Sequence, residues 1–137
     1  MTRPAGAAPE PVWVPRALVD AMHTALIEQY GGLHGVHDEG LIESALARPQ
    51  NLRVYAPESD LAALAASLCF GLAKNHGFRD GNKRTALAAM AVFLRLNGWH
   101  LEVPEPEAVG AMVYVATGVW TEQQLAEWIR THRESAS

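Results

Sequence analysis

The chain has 137 residues, 49% of them apolar, and a formal net charge of −4. That supports one domain with its own core and argues against a nucleic-acid binder, which needs a basic face. The single cysteine, Cys69, excludes an internal disulfide and reads as a small core residue in a reducing cytoplasm. The elements follow in chain order. Residues 1–11 are Ala-, Pro- and Gly-rich and read as a disordered tail, with no signal-peptide core. Residues 12–14 read as a short extended segment. Residues 15–30 read as a helix, with Pro15 in its first turn, Leu18, Met22, Ala25 and Leu26 at helical spacing, and Gly31-Gly32 ending it. Asp38 caps a short helix to Leu46 or Ala47, which Arg48-Pro49 breaks. Residues 49–57 then form a break with some β character from Leu52, Val54 and Tyr55. Ser59 or Asp60 caps the next helix, to about Asn75, apolar nearly all round and therefore central. A second core helix spans residues 83–97 and stops at Gly98. Residues 99–103 read as a short strand or link. Pro104 and the acids after it open a helix that ends near Gly118. Thr121 and Gln124 form a capping box for the last helix, to about His132, with Leu125, Trp128 and Ile129 as its apolar stripe. Residues 133–137 read as a tail. The sum is an all-α chain with one domain over residues 15–132. The longest apolar runs, 61–73 and 86–94, are too short to span a membrane.

The densest chemistry lies between the two core helices, in Asn75-His76-Gly77-Phe78-Arg79-Asp80-Gly81-Asn82-Lys83-Arg84-Thr85. Asp80-Gly81-Asn82 reads as a tight turn. The helix after it begins with N–H groups that lack helical partners, a ready anion site; a turn can add an N–H nest. Lys83 and Arg84 sit where the helix dipole disfavours cations, so an anion or acidic neighbour must offset them. Arg84 can grip phosphate bidentately. His76 can take a proton near neutral pH. Asp80 can hold Mg²⁺ beside phosphate oxygens. Phe78, apolar in a polar loop, reads as the loop's anchor. Singly, each feature has an ordinary structural explanation. Their ordered combination before an apolar helix points to phosphate chemistry.

The segment resembles the Fic/Doc signature, H-x-F-x-[DE]-[GA]-N-[GK]-R, through His76, Phe78, Asp80, Gly81, Asn82, Lys83 and Arg84. Members that transfer AMP usually have Gly at the Lys83 position and a second Arg at the Leu87 position. Asn82-Lys83-Arg84-Thr85-Ala86-Leu87 is instead similar to the death-on-curing (Doc) branch. So are Tyr30-Gly31-Gly32-Leu33, residues 38–46 and Phe93-Leu94-Arg95-Leu96-Asn97-Gly98. The resemblance implies an all-α helical bundle with the signature loop joining two central helices. It makes residues 49–57 a flap, with Gln50, Asn51, Leu52, Arg53 and Val54 docking the target by extended backbone pairing. It implies a toxin that moves a phosphoryl group from ATP, with Mg²⁺, to a protein hydroxyl. The family target is elongation factor Tu. His76 would be the base. Gly81, Asn82, Lys83 and Arg84 would hold the phosphates, and Asp80 would ligate Mg²⁺ or orient them. It also implies a small antitoxin partner, whose disordered C-terminal segment folds onto the toxin as a helix. The inhibitory motif of self-restrained members, [ST]-x-x-x-E-[GN], has its nearest match from Thr24 to Glu28, but Gln29 follows.

Two other readings remain at this stage: AMP transfer, and a non-catalytic protein that uses the loop to bind a nucleotide or partner. Lys83 and Leu87 weigh against the first, and His76 against the second. His34 and His37 read as exposed loop histidines, because zinc would need more ligands. His23, His100 and His132 are isolated in sequence, and the four tryptophans read as packing anchors.

Overall fold

A computed structural model describes residues 10–135, which form six helices and two short strands. The expectation of a tail over residues 1–9 and at residues 136–137 lies outside them. The fold is all-α, organised around α3 (Leu61–Asn75), whose apolar residues leave no face for water. Leu64, Leu68, Cys69 and Leu72 are buried, as are the small residues Ala62, Ala65, Ala66 and Gly71. Small side chains let neighbours approach closely: a Cβ on Gly71 would lie 3.1 Å from the Ala45 Cα. Around α3 pack α2 (Glu39–Tyr55), α4 (Asn82–Leu96), α5 (Glu105–Ala116) and α6 (Glu122–His132). α1 (Arg16–Tyr30) lies against α4. Cys69 is buried: its thiol touches the Met112 sulfur at 3.3 Å, and desolvation pushes its pKa up.

Side-chain caps set the helix starts. Asp38 accepts from the Leu41 N–H at 3.2 Å, and Asp60 from the Ala63 N–H at 2.9 Å. Asp60 also receives two bonds from Arg130, at 2.8 and 2.9 Å, tying the start of α3 to α6. The Thr121–Gln124 capping box forms with both bonds. Arg16 pairs with Asp20, Glu39 and Glu43, fastening α1 to the start of α2. Residues 12–14 belong to no helix or strand; Asn97 holds both the N–H and the carbonyl of Val12, and Trp13 stacks on Phe93. No helix among the described residues is long and apolar enough to cross a membrane.

Two expectations fail. The helix starting at Asp38 does not break at Arg48-Pro49; α2 runs through Pro49 to Tyr55. A mid-helix proline removes one hydrogen bond and crowds the preceding turn. Here Pro49 is buried and continues an apolar stripe of Ile42, Ala45, Leu46, Pro49 and Leu52 that packs on α3. Burial of that continuous face outweighs the local penalty. The tail after His132 is also not free. Arg133–Ser135 (β2) pairs antiparallel with Trp99–Leu101 (β1), matching Leu101 to Arg133, His100 to Glu134 and Trp99 to Ser135. The Arg133 guanidinium lies 4.6 Å from the Trp99 ring centre. That cross-strand contact favours the pairing.

Candidate active site

The signature segment joins the C-terminus of α3 to the N-terminus of α4. α3 ends at Asn75, whose amide donates to the Leu41 carbonyl at 3.0 Å. His76 then turns the chain with φ 53° and ψ 45°, the only non-glycine among the described residues in the left-handed region. Such a residue costs energy unless its surroundings hold it there. Gly77 does much of the holding. Its carbonyl accepts from the His37 and Asp38 N–H groups at 2.8 and 3.0 Å. Phe78 makes an antiparallel bridge to Val36, and the Arg79 N–H reaches the Gly35 carbonyl at 3.0 Å. The α1–α2 connection is therefore paired along the signature loop.

Phe78 anchors the loop as expected: it is buried and stacks on the buried His23, with ring centres 3.9 Å apart. Asn82 closes the loop. Its side chain accepts from the Phe78 N–H and donates to the Phe78 carbonyl, both at 3.0 Å. The Asn82 amide is therefore first a clamp on the loop; what it still offers an anion is its backbone N–H. Asp80 is tied twice to neighbouring segments. Its Oδ2 accepts from the Leu33 N–H at 2.7 Å, and its carbonyl accepts from His23 Nε2 at 2.8 Å. Gly81 follows as the N-cap of α4 with φ 77°, which only glycine adopts without penalty.

These ties leave a run of donors. Among the described residues, the N–H groups of Asp80, Gly81, Asn82, Lys83 and Arg84 donate to nothing, the first helical bond being Thr85 N–H to the Gly81 carbonyl. They border an open hollow of about 270 Å³ lined by His76, Arg79, Asp80, Gly81, Asn82, Lys83 and Arg84. All the site residues expected of the loop thus converge. The Lys83 side chain is exposed and has no ion pair among the described residues. Arg84 lies 4.1 Å over the Tyr30 ring, whose hydroxyl reaches Glu105 at 3.4 Å. Consecutive free N–H groups, a helix N-terminus and two cations make an anion cradle. Asp80 keeps one carboxylate oxygen without a partner among the described residues. That donor set fits Mg²⁺, which takes one or two carboxylates and completes its shell with phosphate oxygens and water.

The flap residues are not brought to the cradle. Gln50, Asn51, Leu52, Arg53 and Val54 form the last turns of α2 and are helical, so their main chain is engaged within the helix. Val54 lies roughly 18 Å along α2 from Ile42, which touches Gly77. Extended pairing is not available to them in this conformation, because α2 continues through Pro49. Val54 and Tyr55 do stand clear of the core, 82% and 91% exposed.

Other histidines have partners that their spacing hid. His34 meets Glu28 at 3.1 Å. His100 donates to Glu102 at 2.8 Å beside Glu134, and its buried Nδ1 has no partner among the described residues. A residue that touches the loop but that the sequence does not announce is His23, bonded to the Asp80 carbonyl. Its signal was the stripe Val19, His23, Ile27, which put a polar ring on the buried face of α1.

A histidine in a left-handed turn, beside a run of N–H groups that donate to no described residue, joins the two central helices of this all-α fold. The chain belongs to the Fic/DOC family, whose model matches residues 13–94. It is 37% identical over 110 residues to "Protein kinase doc" of Escherichia phage P1, covering 80% of this chain and 86% of that one. It is 47% identical over 74 residues to "Toxin Doc" of Mycolicibacterium smegmatis (strain ATCC 700084 / mc(2)155), covering 53% of this chain and 56% of that one.

Proposed function

We propose that this chain is the toxin of a toxin–antitoxin pair and transfers the γ-phosphoryl group of ATP to a Ser or Thr hydroxyl of a translation factor. The family's target, elongation factor Tu, is the acceptor this reading proposes, with the activity acting in the cytoplasm. The observation that carries the reading is the unpaired N–H run from Asp80 to Arg84, with His76 at one end and Lys83 and Arg84 at the other. The names of the two relatives, a protein kinase and a toxin, support it.

In this reading the target hydroxyl attacks the γ-phosphorus. The new oxygen–phosphorus bond forms as the β–γ bridge breaks; the hydroxyl proton passes to His76 and ADP leaves. Catalysis of this kind rests on positioning and charge stabilisation. The Gly81, Asn82 and Lys83 N–H groups and the Lys83 and Arg84 side chains receive the phosphates. The unpartnered Asp80 oxygen would hold Mg²⁺, which, when bound, neutralises phosphate charge. Lys83 supports γ- over α-phosphoryl transfer, because it puts a long cation where AMP-transferring members keep glycine. The antitoxin partner is a separate protein whose amphipathic segment folds on binding.

The reading is tested with ATP labelled on the α- or the γ-phosphorus and elongation factor Tu as acceptor. Label from the γ-phosphorus alone is expected. Label from the α-phosphorus would replace the kinase reading with AMP transfer, and transfer of neither with intact nucleotide binding would replace it with a binding role.

A further inference from the structure

We propose that His23 is a positioning residue of the phosphate cradle: it sets the orientation of the Asp80–Gly81 peptide and thereby aims the Gly81 N–H at the anion. The inference rests on the phosphate-cradle reading of the loop. His23 is buried on the inner face of α1, 3% exposed, far from the signature in sequence. Its Nε2 lies 2.8 Å from the Asp80 carbonyl oxygen. A carbonyl only accepts, so Nε2 is the protonated nitrogen and donates. The ring is also fixed face to face on Phe78, with ring centres 3.9 Å apart and planes 12° apart. The donor therefore has little freedom to follow a moving loop.

The consequence follows from peptide geometry. No peptide among the described residues is cis. In a trans peptide the carbonyl and the N–H of one unit point in opposite directions. With the Asp80 carbonyl held toward α1, the Gly81 N–H must face away from α1, where it donates to no described residue. The same peptide is vulnerable without that bond. Gly81 stands at φ 77°, and glycine is the residue that most easily changes its dihedrals. A rotation of this peptide would turn the carbonyl toward the cradle, replacing a donor with an acceptor that repels phosphate. A Cβ on Gly81 would lie 3.7 Å from both Cδ2 and Nε2 of His23, so the ring lies directly against this turn. An apolar side chain at position 23 would fill the core equally well but leave the carbonyl unheld. That is the physical reason for a polar ring on this face.

The test uses the full chain and two variants. His23→Phe keeps a flat ring against Phe78 and removes the donor. His23→Gln removes the ring stack and keeps an N–H at a similar reach. Mg²⁺–ATP affinity is measured by calorimetry, and the Gly81 amide is followed by ¹⁵N NMR in the nucleotide-free protein. Expected are a displaced Gly81 amide and about tenfold weaker binding in His23→Phe, the size of one lost hydrogen bond. His23→Gln should stay within about threefold of the unaltered chain, a rescue that a purely packing role would not give. Equal affinity in His23→Phe, or a greater loss in His23→Gln, overturns the proposal. Should the unaltered chain not bind Mg²⁺–ATP, the nucleotide reading fails, and the Gly81 amide of His23→Phe alone decides the role of His23. Should His23→Phe not fold, the scalar coupling across the Nε2–H to Asp80 carbonyl bond decides it in the unaltered chain, and absence of that coupling refutes it.

Discussion

Replacing Gly77 with alanine tests whether the site is built by the packing beneath it. Gly77 is not in the left-handed region, so its backbone accepts alanine without strain. The obstacle is space. An added Cβ would lie 2.4 Å from the Ile42 Cγ1 and 3.1 Å from the Ile42 backbone nitrogen. Carbon atoms rest at about 3.5–4.0 Å, so the loop or α2 must yield by about 1 Å. Ile42 is only 1% exposed and has nowhere to go. Overpacking of this kind costs about 1–3 kcal/mol. Ile42→Ala alone leaves a cavity and costs about 2–5 kcal/mol. In the double variant the new methyl occupies part of that cavity, so the two losses should fall short of additivity by about 1 kcal/mol. Denaturant unfolding of all four proteins measures the cycle, with equal slopes required before midpoints are compared. Phosphoryl transfer should fall at least tenfold in Gly77→Ala while the protein remains folded, because His76 is its neighbour. Additive losses within about 0.5 kcal/mol, or full activity in Gly77→Ala, would refute the packing argument.

Three further outcomes are expected. Asn82→Ala removes both bonds to Phe78; it should cost about 1–2 kcal/mol, and the Phe78 amide should exchange markedly faster with deuterium. Tyr30→Ala releases Arg84 from the ring 4.1 Å beneath it; a cation–π contact at an exposed site is worth about 0.5–1 kcal/mol, so the KM for ATP should rise a few-fold with stability nearly unchanged. Hydrogen bonds from Arg130 hold the Asp60 carboxyl below the usual carboxylate range, against opposing desolvation. The unfolded chain, with its Asp near about 3.9, then binds more protons at acid pH. The stability from Asp60 is complete above about pH 4 and is lost as pH falls through the lower folded value. Melting curves of Asp60→Asn should therefore lie below those of the unaltered chain at pH 7 and converge on them in acid; a constant gap would contradict this.

The sequence exposes what is local and hides what is brought together from afar. The capping residues Asp38, Asp60 and Thr121 were readable because a cap acts within three or four residues. The signature loop was readable for the same reason, and Phe78 takes the anchoring role its apolar character implied. α2 departs from the local proline rule because an apolar stripe runs straight through Pro49 and is buried on α3. The pairing of Arg133–Ser135 with Trp99–Leu101 had no local signature, since each strand has only three residues. The role of Asn82 changed for a related reason. Its amide type fits phosphate, but its helical position, four residues after Phe78, lets it close the loop instead. His23 and Leu33 reach the signature from the α1 side, and nothing within the loop announces them.

The most direct test of the central claim is the intact mass of elongation factor Tu after incubation with this protein, ATP and Mg²⁺, beside a His76→Ala control. The account predicts a gain of one phosphate that disappears in the control. A gain of one AMP, or a phosphate gain that survives loss of His76, would contradict it.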